Sequence, residues 1–256
     1  MRHMAGPGPA ALKVAAAVLT GGMAVSALAG CSGAGPLQHR TRDYRVGGPV
    51  QALVVHGHVG GIRVSGGDGG EVSVTERLRF RGTAPVTTHR VTAGVLTLDS
   101  HCPALKGCGV GYDITVPSAT AVSVSDNVGT ITLRSLSGRL TAHTDAGDID
   151  LTSVSGPVEV TGHAGQILGQ DVSAPRAVMR LSAGRIDITC SAAPASLTAV
   201  STVGSVTLRV PGGVSYAVHA STVVGSTHVT VPSSPSSPHV ITATVTTGAV
   251  TVEPAA

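Results

Sequence analysis

The chain has 256 residues, only 12% of them Asp, Glu, Lys or Arg, with a net charge of +3. So slight a positive balance excludes the electrostatic footprint that nucleic-acid binding needs. Aromatic residues make up 2%, with no Trp, which removes most of the stacking platforms that carbohydrate or single-stranded nucleic-acid sites draw on.

Residues 1–30 read as a bacterial export signal. A basic head with Arg2 and Lys13 precedes an apolar run from Val14 to Ala29, shorter and richer in glycine than the roughly 20 apolar residues of a membrane span. The run closes on Leu28-Ala29-Gly30-Cys31, which resembles the lipobox of bacterial lipoproteins. That resemblance implies cleavage before Cys31, a diacylglycerol on its thiol, and a protein anchored at the extracytoplasmic face of the cell membrane. Residues 31–47 follow as a polar tether, with Arg40, Arg42 and Arg45 able to rest on anionic head groups.

The remaining residues, 48–256, are organised by a repeat. A glycine followed by aliphatic residues two and four positions on occurs at Gly60, Gly94, Gly129, Gly147, Gly165, Gly184, Gly204, Gly225 and Gly248, with exceptions at Gly169 and Thr227. Seven and five residues upstream, every copy but the one at Gly94 carries an apolar pair; there Thr87 and His89 stand instead. Each unit therefore reads as two short strands of period two. The spacings from Gly129 on are 18 to 23 residues, which predicts an all-β, parallel β-solenoid with one coil per repeat and right-handed crossovers. Residues 48–128 are less regular, with glycine spacings of 34 and 35.

Cys102 and Cys108 flank a short loop and, in an exported protein, are expected to pair as a disulfide. Cys190 shares strand parity with Ile186 and Ile188 and should be a buried thiol. Ser125-Asp126-Asn127 spells one motif of serine β-lactamases, but neither the Ser-x-x-Lys nor the Lys-Thr-Gly element accompanies it. His56 and His58 share a strand face without a visible third ligand, so no metal site is expected there. The densest polar set is Asp145, Asp148 and Asp150 on one coil, with Arg185 and Asp187 in corresponding columns of a later one. Such a set suits the cation and the base of a β-helix polysaccharide lyase, although Gln166 and Leu168 intervene.

Tyr112-Asp113-Ile114-Thr115-Val116-Pro117, followed by the Gly-x-Ile-x-Leu units, resembles the bacterial β-strand-repeat “putative adhesin” family over residues 50–252. The resemblance implies an exported domain of unknown function and brings no catalytic residues. The expectation is thus a lipid-anchored, non-enzymatic module for adhesion, scaffolding or envelope sensing. It has no cofactor, and its partners are the cytoplasmic membrane and an envelope or surface protein. The alternatives are a carbohydrate-active β-helix enzyme and a passive spacer.

Overall fold

The computed structural model describes residues 35–103 and 107–255; the export signal and Cys31 lie outside them. Every regular element there is a strand. In chain order these are β1 (Gln38–Val46), β2 (Ala52–His56), β3 (Ile62–Gly67), β4 (Val72–Phe80), β5 (Val86–Thr92), β6 (Val95–His101), β7 (Gly109–Pro117) and β8 (Ala121–Val128). They continue as β9 (Ile131–Arg134), β10 (Leu140–Ala146), β11 (Ile149–Val154), β12 (Val158–Val172), β13 (Arg176–Cys190), β14 (Ser196–Val210), β15 (Ala217–Val229) and β16 (Val240–Pro254).

All sixteen belong to one curled, mixed sheet with the outline of a half-barrel. Two walls meet on the long strand β12, which bends at Gly165. Its first half pairs with β10, and that wall continues through β8, β2 and β6 to β5. Its second half pairs with β11, and that wall continues through β9, β3, β7 and β4 to β1. On the other side of β12 come β13, β14, β16 and β15, all parallel. Alternation sets which side chains meet: Leu140 and Ala142 from one wall and Ile149 and Leu151 from the other are buried in a single cluster. At about 1.5–3 kcal/mol per fully buried aliphatic side chain, no unit offsets its own ordering entropy, and neighbours must share the core.

The expected purely parallel solenoid is not what the chain builds. β1–β4, β4–β7 and β5–β6 pair antiparallel: the irregular residues add antiparallel edges beyond the parallel pairs β2–β6 and β3–β7. Gly60 and Gly129 are neighbours in the sheet, joined by Gly60 N–H donating to Val128 O at 3.0 Å. Between them the chain makes β3 to β8, of which β6 and β7 lie parallel to β2 and β3 on the side away from β8 and β9. Gly94 is no corner. With Ala93 (φ 49°) and Gly94 (φ 75°) it forms the two-residue turn of the β5–β6 hairpin, both φ values positive as a type I′ turn requires. The missing apolar pair at Thr87 and His89 marked that copy as different.

The sheet also begins earlier than expected, since β1 falls within the segment read as a tether. Its outward residues are polar on an antiparallel edge, so no apolar alternation announced it; only Val46 is buried, with Tyr44 packed against the core. At the far end the strand order departs from the chain order: β16 lies between β14 and β15. This explains Thr227, the exception in the eighth copy. β15 is covered on one side only, and Thr227, His228 and Val229 are exposed. Gly169, the other exception, leaves the space that Ile188 fills from the adjacent strand.

Candidate functional site

The glycines of the repeat form a ladder across the bend of the sheet. Gly60, Gly129, Gly147, Gly165, Gly184, Gly204, Gly248 and Gly225 have φ between 134° and 157°. From Gly129 onward, a Cβ on each would overlap the carbonyl oxygen of the glycine on the neighbouring strand. Side chains are therefore excluded twice, by conformation and by close backbone approach.

The residue before each glycine from Gly129 onward is turned outward by this bend. Val128, Ala146, Ala164, Ala183, Val203, Thr247 and Val224 stand in register on consecutive strands, every one exposed. At about 4.8 Å per strand the ridge runs roughly 29 Å. Val203 is 52% exposed, and Val223 beside its end is 78% exposed. The signal was in the sequence, as an apolar residue directly before the corner glycine in copy after copy, but only the inward positions were read.

One position further in, the ridge is flanked by polar side chains. Asp145 on β10 lies beside His163 on β12, between the register pairs Thr144–Gly162 and Ala146–Ala164. Asp145 Oδ1 is 3.0 Å from His163 Nδ1 and 3.2 Å from His143 Nε2. His143 Nδ1 in turn meets Thr161 Oγ1 at 2.9 Å. This trio was not assembled from sequence. The available signal was that His163 follows Asp145 by 18 residues, the local repeat length.

The acidic set expected on this face is dispersed. Asp145 serves the two histidines. Asp148 Oδ1 accepts a hydrogen bond from Gln166 N at 2.9 Å. Asp187 pairs with Arg209 at 2.6 Å, and Arg209 pairs with Glu253 at 2.9 Å. Asp150 borders a polar groove of about 480 Å³ with Arg63, Arg77 and Arg134. Burial first, and the charge of Asp148 second, raise its carboxyl above the usual range, against the pull of Arg134. Arg185 is exposed and in register with Gln166 and Ser205.

The other expected residues are separate from this face. His56 Nδ1 meets Asp99 at 2.7 Å, whereas His58 lies by His101 with ring centroids 6.4 Å apart. Cys102 and Cys108 form a disulfide with Cα atoms 5.8 Å apart, linking the region after β6 to that before β7. Cys190 is buried, and burial pushes its thiol up to about 12. Asp126, the middle of the β-lactamase-like triplet, points into the core against Gly57 and Gly129.

No family model matches the chain, and no curated protein matches it. Among solved structures it is similar to a “putative adhesin” from Bacteroides fragilis NCTC 9343, at 16% identity and a TM-score of 0.47, over 85% of this chain and 97% of that one. It is also similar to a “putative cell adhesion protein” from Clostridium sporogenes ATCC 15579, at 13% identity and a TM-score of 0.39, over 84% and 100%. A third is a “putative lipid binding protein” from Parabacteroides distasonis ATCC 8503, at 8% identity and a TM-score of 0.36, over 85% and 97%. At such identities and scores these likenesses assign the chain neither a family nor an activity.

Proposed function

We propose that this protein is a lipid-anchored, extracytoplasmic module of the β-strand-repeat adhesin type, which binds another envelope or surface protein and is not an enzyme. The observation that carries the reading is the in-register apolar ridge. Seven consecutive strands hold an exposed, shallow, mostly aliphatic line on a backbone locked by glycines, and contiguous exposed apolar surface is characteristic of protein contacts. The anchoring half of the proposal rests on the export signal and on the box ending at Cys31. Asp145, Asp148 and Asp187 each hold a different partner, and Arg185 stands in register with Gln166 and Ser205 and not with an aspartate, which speaks against the lyase alternative.

The test is crosslinking on intact cells with identification of neighbours, comparing the parent chain, Val203→Glu and Cys31→Ala. A surface change such as Val203→Glu should alter stability by no more than about 0.5 kcal/mol, yet it should remove the ridge-dependent neighbours. Cys31→Ala should leave the membrane fraction. Identical neighbours for Val203→Glu would refute the ridge as the contact surface. Cleavage of an acidic polysaccharide by the parent chain would refute the non-enzymatic reading.

A further inference from the structure

The geometry points to a site for one divalent transition metal of the Zn²⁺ class at His143, Asp145 and His163. Their ligand atoms lie within 4.8 Å of one another. Asp145 Oδ1 stands 3.2 and 3.0 Å from the two histidine nitrogens. With bonds of about 2.0 Å, neighbouring ligands of a tetrahedral zinc ion are about 3.3 Å apart, so two edges of the tetrahedron are already close to their working length. Without a metal, each nitrogen holds its contact to that oxygen through a proton. A metal replaces both protons with one ion that accepts two nitrogen lone pairs and one carboxylate oxygen.

The support around the ligands is built as well. Thr161 Oγ1 lies 2.9 Å from His143 Nδ1 and fixes the ring; in the tautomer that donates Nδ1–H to it, the Nε2 lone pair is available for coordination. Both strands are interior to the sheet, and their ladder sets the separation of Asp145 and His163. Two imidazoles and one carboxylate suit Zn²⁺, Ni²⁺ or Cu²⁺. Ca²⁺, which takes six to eight oxygen ligands, is a poor match for a set with only one carboxylate. His163 and Asp145 are exposed, so an ion has free access and a fourth position faces solvent. The site is independent of the ridge proposal, because it needs no protein partner.

The experiment is a titration of the purified chain with Zn²⁺ against a chromophoric chelator, with visible spectra of the Co²⁺-loaded protein. One equivalent should bind at micromolar concentration or tighter, with the strong bands of tetrahedral Co²⁺, and Zn²⁺ should raise the melting temperature. His163→Ala should lose the binding, the bands and the metal-dependent shift, while melting like the parent without metal. Thr161→Val should weaken binding about 10–100-fold, and His56→Ala, which removes a different His–Asp pair, should change nothing. If His163→Ala does not fold, Asp145→Asn replaces it with the same expected loss. Absence of stoichiometric binding in the parent, or unchanged binding in His163→Ala or Asp145→Asn, overturns the assignment.

Discussion

Asp126 is 1% exposed, and neither of its carboxylate oxygens reaches hydrogen-bond geometry with a donor among the described residues. Burial pushes the carboxyl from 3.8 up to about 7, with the nearby Asn127 amide offsetting part of the effect. Between these values the folded chain keeps a proton that the unfolded chain releases. The stability tied to neutral Asp126 is therefore complete below about pH 3.8 and is lost as pH rises through about 7. Asp126→Asn removes the ionisation while keeping the shape. In denaturant titrations its stability relative to the parent should increase steadily between pH 4 and 7, then level off. A difference that does not depend on pH would show that Asp126 is not protonated in the fold. The same residue shows how far a motif can lie from its physical role, since the middle residue of a triplet that spells an enzyme signature is buried against Gly57 and Gly129. The glycines themselves are governed by two constraints, conformation and close packing. A glycine repeated at every bend is consistent with positive φ, whereas the close approach of neighbouring backbones is visible only from the pairing register.

At the scale of elements, the β5–β6 hairpin carries a correctable strain. Ala93 occupies a position with φ of 49°, where a Cβ is penalised and Asn or Gly is preferred. Ala93→Gly should stabilise the chain by about 0.5–1 kcal/mol, read as a higher denaturation midpoint with an unchanged slope. A loss of stability would mean that the hairpin does not form as described. The same hairpin marks the boundary of what was legible. Inward positions at two, four and seven residues after the glycines were readable, because a period of two repeated every 18 to 23 residues leaves little freedom: Ile149, Leu151 and Val154 are all buried. The antiparallel ends were not, since β1 and β5 are largely exposed and lack an apolar face. Gly94 fitted the downstream half of the repeat by coincidence, and only its upstream half betrayed it. The His143–Asp145–His163 trio was out of reach for another reason, because it joins adjacent strands and needs their register as well as their spacing.

For the whole molecule, mixing parallel and antiparallel pairing gives the two ends different characters. The end with β1, β4 and β5 is closed by polar contacts around Glu76, which is 2% exposed. Tyr44 donates to it at 2.8 Å and Thr87 at 2.7 Å. Glu76 thus ties β1, β4 and β5 together across both walls. At the other end, β15 pairs only with β16 among the described residues and shows Val223, Val224 and Val229 to solvent, a combination that invites edge pairing unless it is covered. The candidate contact ridge runs from the middle of the sheet toward this open end.

The position of β16 between β14 and β15 also sets a timetable. As a chain leaves a ribosome or a translocation pore, Ala217–Val229 appears before the strand it is to lie against. Pairing it at once with β14 would occupy the place reserved for Val240–Pro254. Val240–Pro254 is therefore a keystone, and assembly of β15 onto the sheet waits for that strand to emerge. Cutting the chain after His239 should leave β15 with no native neighbour and uncover Leu208, Val206 and Leu197, all wholly buried in the intact molecule. The shortened chain is expected to show rapid proteolysis confined to residues 211–239, as peptide mapping would record. Protection of that stretch in the shortened chain would mean that β15 had moved into the vacant place, which β16 fills in the intact sheet.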